Sequence, residues 1–456
     1  MPTFLVQAKA TILQWRKMNN RIYWLKDGVP GWTSGSGTGS ATFNFRTIQT
    51  FSRSEYHREI FDECWRIMRD DFYDGSFNNR NWDEIRRKYL AIAEACMTKA
   101  NLSRTVSMML GELNASHLGY RGSSDPSPKL SSRDVTGHLG LIHEPLHRGP
   151  GIKIKEVVTG GPAAAVKTAL QELDIILSIN DVTIDPEFDL TRVLNGSVGK
   201  ETVLHVKRGD EELDITIVPI TYAAFRSLLY ERWLESNRQR VEKQSESQLG
   251  YLHIRAMDMS SFHRFERELY EVAAGKDGLV IDVRENGGGF TTDHLLTILT
   301  QPRHAITKPR GGGEGYPQDR SIYATWGKPI VVLCNQNSHS NAEIFSHAIK
   351  HLQRGKIVGV PTSGSVISTG SRPVMDAGTI RIPFRGWYVL GTGQDMELNG
   401  AVPHYTLWPE PGQMPTGIDI QLDKAITVLK KEVNRAAKEV TPKTVKASER
   451  GLQNEE

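Results

Sequence analysis

The sequence predicts a multi-domain chain, α+β in its first half and α/β in its second, and three observations carry that reading. Ile330–Leu333 is an apolar, β-branched run without alternation, which suits a parallel strand covered on both faces. After a polar turn, Ile344, Phe345, Ala348, Ile349 and Leu352 fall on one helical stripe. Gly278–Val283, a glycine-rich turn and a helix from about Thr292 repeat the same strand-turn-helix order. By contrast, Ser54 to about Arg121 has helical spacing throughout, and 138–220 alternates short strands with two helices.

Composition bounds the function. At 456 residues the chain has room for two to four cores. A net charge of +3 with 24% charged residues points to no nucleic-acid partner. Cys64, Cys96 and Cys334 are odd in number and scattered, which argues against a disulfide framework and for a reducing, cytoplasmic compartment. No apolar run reaches membrane-spanning length, and the first residues lack the order of a signal peptide, so neither a membrane partner nor export is expected. Neither CxxC nor HExxH occurs, and no metal or cofactor is expected.

Residues 1–50 are β-rich, with strands expected at Arg21–Leu25 and Ala41–Ile48 around turns at Asp27-Gly28 and Thr33–Thr42. Two or three strands without a sheet to join are marginal, which suggests the end of a larger β-structure. A helical domain spans 51–122. In it Tyr56, Ile60, Cys64, Trp65, Ile67 and Met68 share a face behind a Ser54 cap, and further helices fit Trp82–Met97 and Ser103–Leu113. Ser116-His117 stands just past the last of these.

Residues 123–134 are a linker rich in Ser, Asp, Pro and Lys. In 135–222, strands fit Gly151–Val158, Ile175–Ile179, Thr202–Lys207 and Leu213–Pro219, with a Pro-led helix opening at Gly160–Val166 and another at Asp189–Leu194. This order, with the loop His138-Leu-Gly-Leu141, resembles a PDZ domain, which takes a peptide as an added strand.

The α/β domain covers 223–435. Its helices are expected at Ala224–Arg240, Ser260–Ala274 and Gln421–Arg435, and further strands at Leu249–Ile254, Lys356–Val360, Thr379–Phe384 and Trp387–Leu390. Thr362–Gly370 reads as a turn, Lys308–Arg320 as a substrate-edge loop, and 436–456 as a disordered tail.

Chemistry concentrates where strand turns to helix. Ser340, at the mouth of its helix, is placed where a side chain is exposed above the sheet beside the positive helix end. It also opens an S-x-x-E capping box with Glu343 and could simply hold an orphan amide. The turn Arg284-Glu-Asn-Gly-Gly-Gly-Phe290 could hold an oxyanion on bare amides, but lacks the lysine of a P-loop. Serine hydrolysis needs a nucleophile, a base, a group that orients the base, and amide donors. Ser340, Ser116-His117, Glu397 and the glycine turn could supply them.

A helical segment ending in Ser-His, a PDZ segment, and an α/β domain with Asp-Val-Arg-x-Asn-Gly-Gly-Gly, Ser-Asn-Ala-Glu-Ile-Phe-Ser and Glu-x-Asn-Gly-Ala-Val-Pro together resemble the catalytic half of tricorn-type proteases. These are relatives of the tail-specific, or C-terminal processing, serine peptidases. The resemblance runs from about residue 40 to 433. It implies a ClpP/crotonase-like catalytic fold, peptide substrates and a homo-oligomer, and makes 1–50 a propeller remnant. It also implies Ser340 as nucleophile, His117 as base, Ser116 linking His117 to Glu397, and an oxyanion hole from the amides of Asn341 and Gly288. The tail-specific branch uses a lysine on the turn after the nucleophile. Pro361–Val366 has none, which favours the histidine branch. Glu314 and Asp319 are candidates for setting a preference for basic side chains.

Three other readings compete. Ser340 could be only a cap in a catalytically silent PDZ-containing scaffold. His347 and His351, four apart on a helix, could share a metal, though a solvated helix face explains them as well. Cys334 could be a thiol nucleophile, but its apolar strand makes it a small buried hydrophobe.

Overall fold

Leu249–His253, Gly278–Asp282 and Ile330–Cys334 are buried at every position. Only a sheet covered on both faces accommodates such strands. The computed structural model of the chain describes residues 12–26, 28–37, 39–44, 50–123, 135–165, 170–302, 305, 307–308, 310–311, 324–438 and 444–449. The linker at 124–134, Glu314, Asp319 and most of the tail lie outside the described residues.

The first part is an antiparallel meander, β1 (Ile12–Arg16), β2 (Arg21–Lys26), β3 (Val29–Ser34) and β4 (Ser40–Thr42). β4 is shorter than expected from the sequence, and 45–49 lie outside the described residues.

Three helices follow, α1 (Arg53–Asp71), α2 (Trp82–Ala95) and α3 (Lys99–Gly111). The cap of α1 is Ser52, whose side chain accepts the Glu55 amide; Ser54 lies inside the helix. Asn81 and Thr98 cap α2 and α3 in the same way, so α3 begins four residues before Ser103. Their shared core, with Ile60, Phe61, Trp65, Met68, Val106 and Leu110, continues into Val374, Ala377, Ile380 and Ile382 of the last domain. The strand β5 (Gly119–Gly122) then leaves the helices to pair with that domain.

Next come β6 (Gly137–His138), β7 (Leu141–His143), β8 (Ile152–Val157), β9 (Ile175–Ile179), β10 (Val182–Thr183), the short α4 (Thr191–Leu194), β11 (Thr202–Arg208) and β12 (Glu211–Ile217). All of these strands but β6 form a sheet in the order β12-β11-β9-β8-β7 with β10 on β9, closed over Ile154, Ile176, Ile179, Leu204 and Val206. Between β8 and β9 the expected Pro-led helix is a single 3-10 turn, Pro162–Ala164, and 166–169 lie outside the described residues. Asp174, 2% exposed, is held by a bidentate pair with Arg208.

β13 (Ile220–Thr221) pairs with β6 and leads into α5 (Tyr222–Ser245). The α/β domain contains β14 (Leu249–His253), α6 (Met259–Glu271), β15 (Gly278–Asp282), α7 (Thr292–Leu299), β16 (Ile330–Cys334), α8 (Asn341–His351), β17 (Lys356–Gly359), β18 (Ile367–Val374), β19 (Gly378–Gly386), β20 (Tyr405–Thr406) and α9 (Ile420–Ala436). The parallel sheet runs β14-β15-β16-β17-β20. Residues of α6, α7 and α8 pack on one face around Leu279, Ile281, Val332 and Phe345. Residues of α5 and α9 pack on the other around Tyr251, Val280, Val331 and Leu429.

The hairpin β18–β19 stands off this sheet and receives β5 as its third strand, with Gly119 opposite Arg381. The strand β18 starts at Ile367, inside the segment expected to be a turn. Residues 387–390 form no strand beyond a bridge from Tyr388 to Asp395. Among the described residues no helix is long and apolar enough to cross a membrane.

Replacing Arg208 by alanine leaves the Asp174 carboxylate buried without its cation, at a cost of about 3 kcal/mol. Native-state hydrogen exchange is expected to show the Leu204 and Val206 amides losing that much protection while Val332 is unchanged.

Candidate active site

The turn from β16 into α8 puts Ser340 in an uncommon conformation, φ 52° and ψ −115°. A non-glycine residue held there costs on the order of 1–3 kcal/mol and persists only when its surroundings impose it. The surroundings are on both sides. His339 N–H donates to Asn286 O at 2.9 Å, and Ser338 Oγ donates to Val283 O at 2.8 Å, so the turn is tied to the end of β15. The Ser340 amide donates to Glu343 Oε1 at 2.9 Å. The turn carries a capping box between Ser340 and Glu343, and the serine hydroxyl has a partner outside the helix as well.

That partner is His117 Nε2, 3.3 Å from Ser340 Oγ. On the other side of the ring, Nδ1 is 2.7 Å from Ser116 Oγ. Ser116 Oγ in turn lies 2.9 Å from Glu397 Oε2, and the Ser116 amide donates to Glu397 Oε1 at 2.6 Å. The protons follow from valence. An ionised carboxylate only accepts, so Ser116 Oγ donates to it and receives the Nδ1 proton. Nε2 then carries the lone pair that faces Ser340.

Burial lowers the His117 pKa below the ordinary imidazole value of 6.5, with Arg381 adding to the effect and Glu343 opposing it. Burial raises Glu397, 4% exposed, above the ordinary carboxylate value, against the hydrogen bonds from Ser116 and from the Val366 amide at 2.8 Å.

Glu343 was legible only as half of a capping box, yet it is the centre of the site's scaffold. Its fully buried carboxylate accepts from Thr362 Oγ1 at 2.6 Å, Ser363 Oγ at 2.9 Å, Gly364 N at 2.5 Å and Ser365 N at 2.8 Å, besides the Ser340 amide. The same turn donates the Val366 amide to Glu397, and Gly364 O receives the Leu398 amide. Nucleophile, turn and Glu397 are thereby joined through one anion.

The glycine turn lies against Ser340. A Cβ on Gly288, whose φ is +89°, would come within 2.7 Å of both Ser340 Cβ and His339 O, so only glycine allows this approach. The Gly288 amide, expected from the sequence to be an oxyanion donor, is already given to Asn286 Oδ1 at 2.9 Å. Among the described residues the amides of Asn341, Gly287 and Gly289 have no hydrogen-bond partner. Asn341 is fixed to α7, with Oδ1 accepting the Thr292 amide at 2.8 Å and its carbonyl accepting Thr292 Oγ1 at 2.7 Å.

Of the competing groups, His347 and His351 stack at 5.7 Å on α8, away from the relay residues. Cys334 is buried in β16, and burial pushes its thiol up to about 12, far from a thiolate at neutral pH.

Residues 248–407 match the family described as Peptidase family S41, residues 54–111 the Tricorn protease C1 domain, and residues 135–218 a PDZ domain. The chain is 31% identical over 392 residues to Tricorn protease homolog 1 of Streptomyces coelicolor, covering 84% of this chain and 36% of that protein. It is 28% identical over 406 residues to the Tricorn protease of Thermoplasma acidophilum, covering 85% of this chain and 36% of that one. It thus spans little more than a third of the length of these relatives. To the chloroplastic C-terminal processing peptidase of Tetradesmus obliquus it is 24% identical over 387 residues, covering 79% of both. The crystal structure of the tricorn protease matches with a TM-score of 0.76 at 23% identity, covering 93% of this chain and 42% of that one, which shows the fold.

Glu343→Gln places an NH2 group among donors that need an acceptor. The variant is expected to lose about 2–3 kcal/mol of stability, the worth of one or two bonds to a charged group, measured by chemical denaturation.

Proposed function

We propose that this chain, which belongs to peptidase family S41 and is built like the catalytic part of its tricorn-type members, is a serine peptidase working through a Ser340–His117–Ser116–Glu397 relay. The observation that carries the reading is the unbroken hydrogen-bonded path from Glu397 to Ser340 Oγ, assembled from three separate segments. It supplies the orienting acid, the base in the right tautomer and the nucleophile at once.

In this reading Nε2 takes the Ser340 proton as Oγ attacks the scissile carbonyl. The oxyanion is held by the Asn341 amide and by one from the glycine turn, Gly287 or Gly289 in the observed arrangement, or Gly288 if Asn286 releases it. The tetrahedral intermediate collapses, the C–N bond breaks, and the proton passes from Nε2 to the departing amine. Water, deprotonated by the same nitrogen, then releases the acyl group and restores the serine.

The substrates are unfolded or partly degraded peptides, a reading supported by the part-buried setting of Ser340 and His117, which an extended chain reaches more readily than a folded one. The place of action is the cytoplasm, supported by three buried, unpaired cysteines. The working form is a homo-oligomer, supported by the exposed Trp387, Tyr388 and Leu390 on one loop.

Hydrolysis of a mixed fluorogenic peptide set is expected for the parent chain and is expected to be lost in Ser340→Ala and after treatment with a serine-directed phosphonate. No turnover by a folded, assembled parent would sink the proposal and leave a peptide-binding scaffold. The pH dependence follows from the base. His117 must be neutral to accept a proton and its pKa is lowered, so the acid limb of kcat/KM is expected below pH 6.5. Arg381→Gln removes a cation that depresses it and moves that limb to higher pH; an unmoved limb would show that another group sets it.

A further inference from the structure

A cleft of about 490 Å³ opens beyond the carboxyl ends of β14 and β15, lined by residues of α5, the glycine turn, the turn before Ser340 and the stretch 409–421. None of the relay residues lines it. Its aromatic wall is fixed: Tyr230 OH donates to His253 Nδ1 at 2.9 Å, while His253 Nε2 donates to Arg284 O at 3.1 Å. Trp233 stands edge-on to the same imidazole at 4.9 Å.

The cleft carries both signs of charge. Arg284, in the floor, is paired with Asp282 and Asp419. Glu285 keeps its charge but is held at the rim by the side-chain amides of Asn335 at 2.7 Å and Asn337 at 2.9 Å. Arg226 and Arg255 also line the cleft, and neither has a carboxylate partner among the described residues. The Arg255 guanidinium lies 4.6 Å over the Tyr230 ring, which leaves its donor edge available. Guanidinium groups beside a preformed aromatic wall suit a planar anion attached to an apolar body.

We infer that this cleft is a second binding site, separate from the relay, for a small carboxylate with an aromatic or apolar body, of the kind that ends a short peptide. The carboxylate lies on Arg226 and Arg255, and the body on Trp233 and the rim of Tyr230. The rim of the cleft is joined to the turn that carries Ser340 by bonds already present. Glu285 clamps Asn335 and Asn337, Asn335 N–H donates to Ser338 Oγ, and the adjacent Asn286 holds both His339 and Gly288.

The test uses the full chain carrying Ser340→Ala, so that binding is read without turnover and independently of the peptidase proposal. N-acetyl-phenylalanine and N-acetyl-phenylalaninamide are titrated by calorimetry. The acid is expected to bind at least about tenfold more tightly than the amide, and Arg226→Ala and Arg255→Ala each to weaken it by about tenfold, the worth of one charge-assisted contact. Equal binding of acid and amide, or binding of the acid undiminished in the double alanine variant, overturns the inference, as does no binding at millimolar concentration. Should an alanine variant fail to fold, lysine replacements keep the charge but lose the bidentate fork and are expected to show a similar loss. The comparison of acid with amide needs no variant in the cleft.

Discussion

The Glu343 carboxylate is the interaction on which the rest of the site depends. A buried carboxylate is costly unless its lone pairs are filled, and this one is filled by five donors from two segments. Because each donor has a fixed place, the anion sets where Ser340 sits and where the 362–365 turn passes. That turn leads straight into β18, β18 into β19, and β19 holds β5, two residues beyond His117. The histidine is therefore positioned by a chain of backbone pairings that starts at the same carboxylate that positions the serine.

The proposed relay is a matter of unequal environments. Glu397 is buried yet receives three hydrogen bonds, two from Ser116 and one from Val366. His117 is half-buried next to Arg381, which favours the neutral ring. The interposed serine hydroxyl is the hinge of the arrangement. It can donate only one proton, and giving that proton to Glu397 commits it to accept from Nδ1.

Much of this was legible in the sequence, and the reasons differ by element. The buried strands at 249, 278 and 330 and the helix after Ser340 announce themselves by apolar pattern, since a parallel sheet tolerates little else. Ser116, His117, Ser340 and Glu397 lie on short motifs whose order on the chain is specific, and the structure brings the four together. The weight of Glu343 is hidden from the sequence: S-x-x-E spacing gives the local bond to the Ser340 amide but cannot reveal partners 19 to 22 residues away. Ser52 and Ser54 are both good caps for α1, and only packing decides for Ser52. The amide of Gly288 was open on paper because nothing in a glycine run shows which N–H a neighbouring asparagine will take. The strand β18 was hidden by its serines, threonine and glycine, which its partners β19 and, through β19, β5 hold extended against their own preference.

One feature of the connectivity bears on the life of the chain before it is complete. Ser116 and Glu397 are 281 residues apart, and His117 and Ser340 are 223 apart. During synthesis the histidine leaves the ribosome long before either partner exists, and Glu397 follows the serine by a further stretch of sheet and hairpin. Domains form as they emerge, but the core of the helical part is closed by Val374, Ala377, Ile380 and Ile382, so it waits for the same late segment that precedes Glu397. The order of parts along the polypeptide thus acts as a built-in delay, so that the proposed relay is complete only late in synthesis.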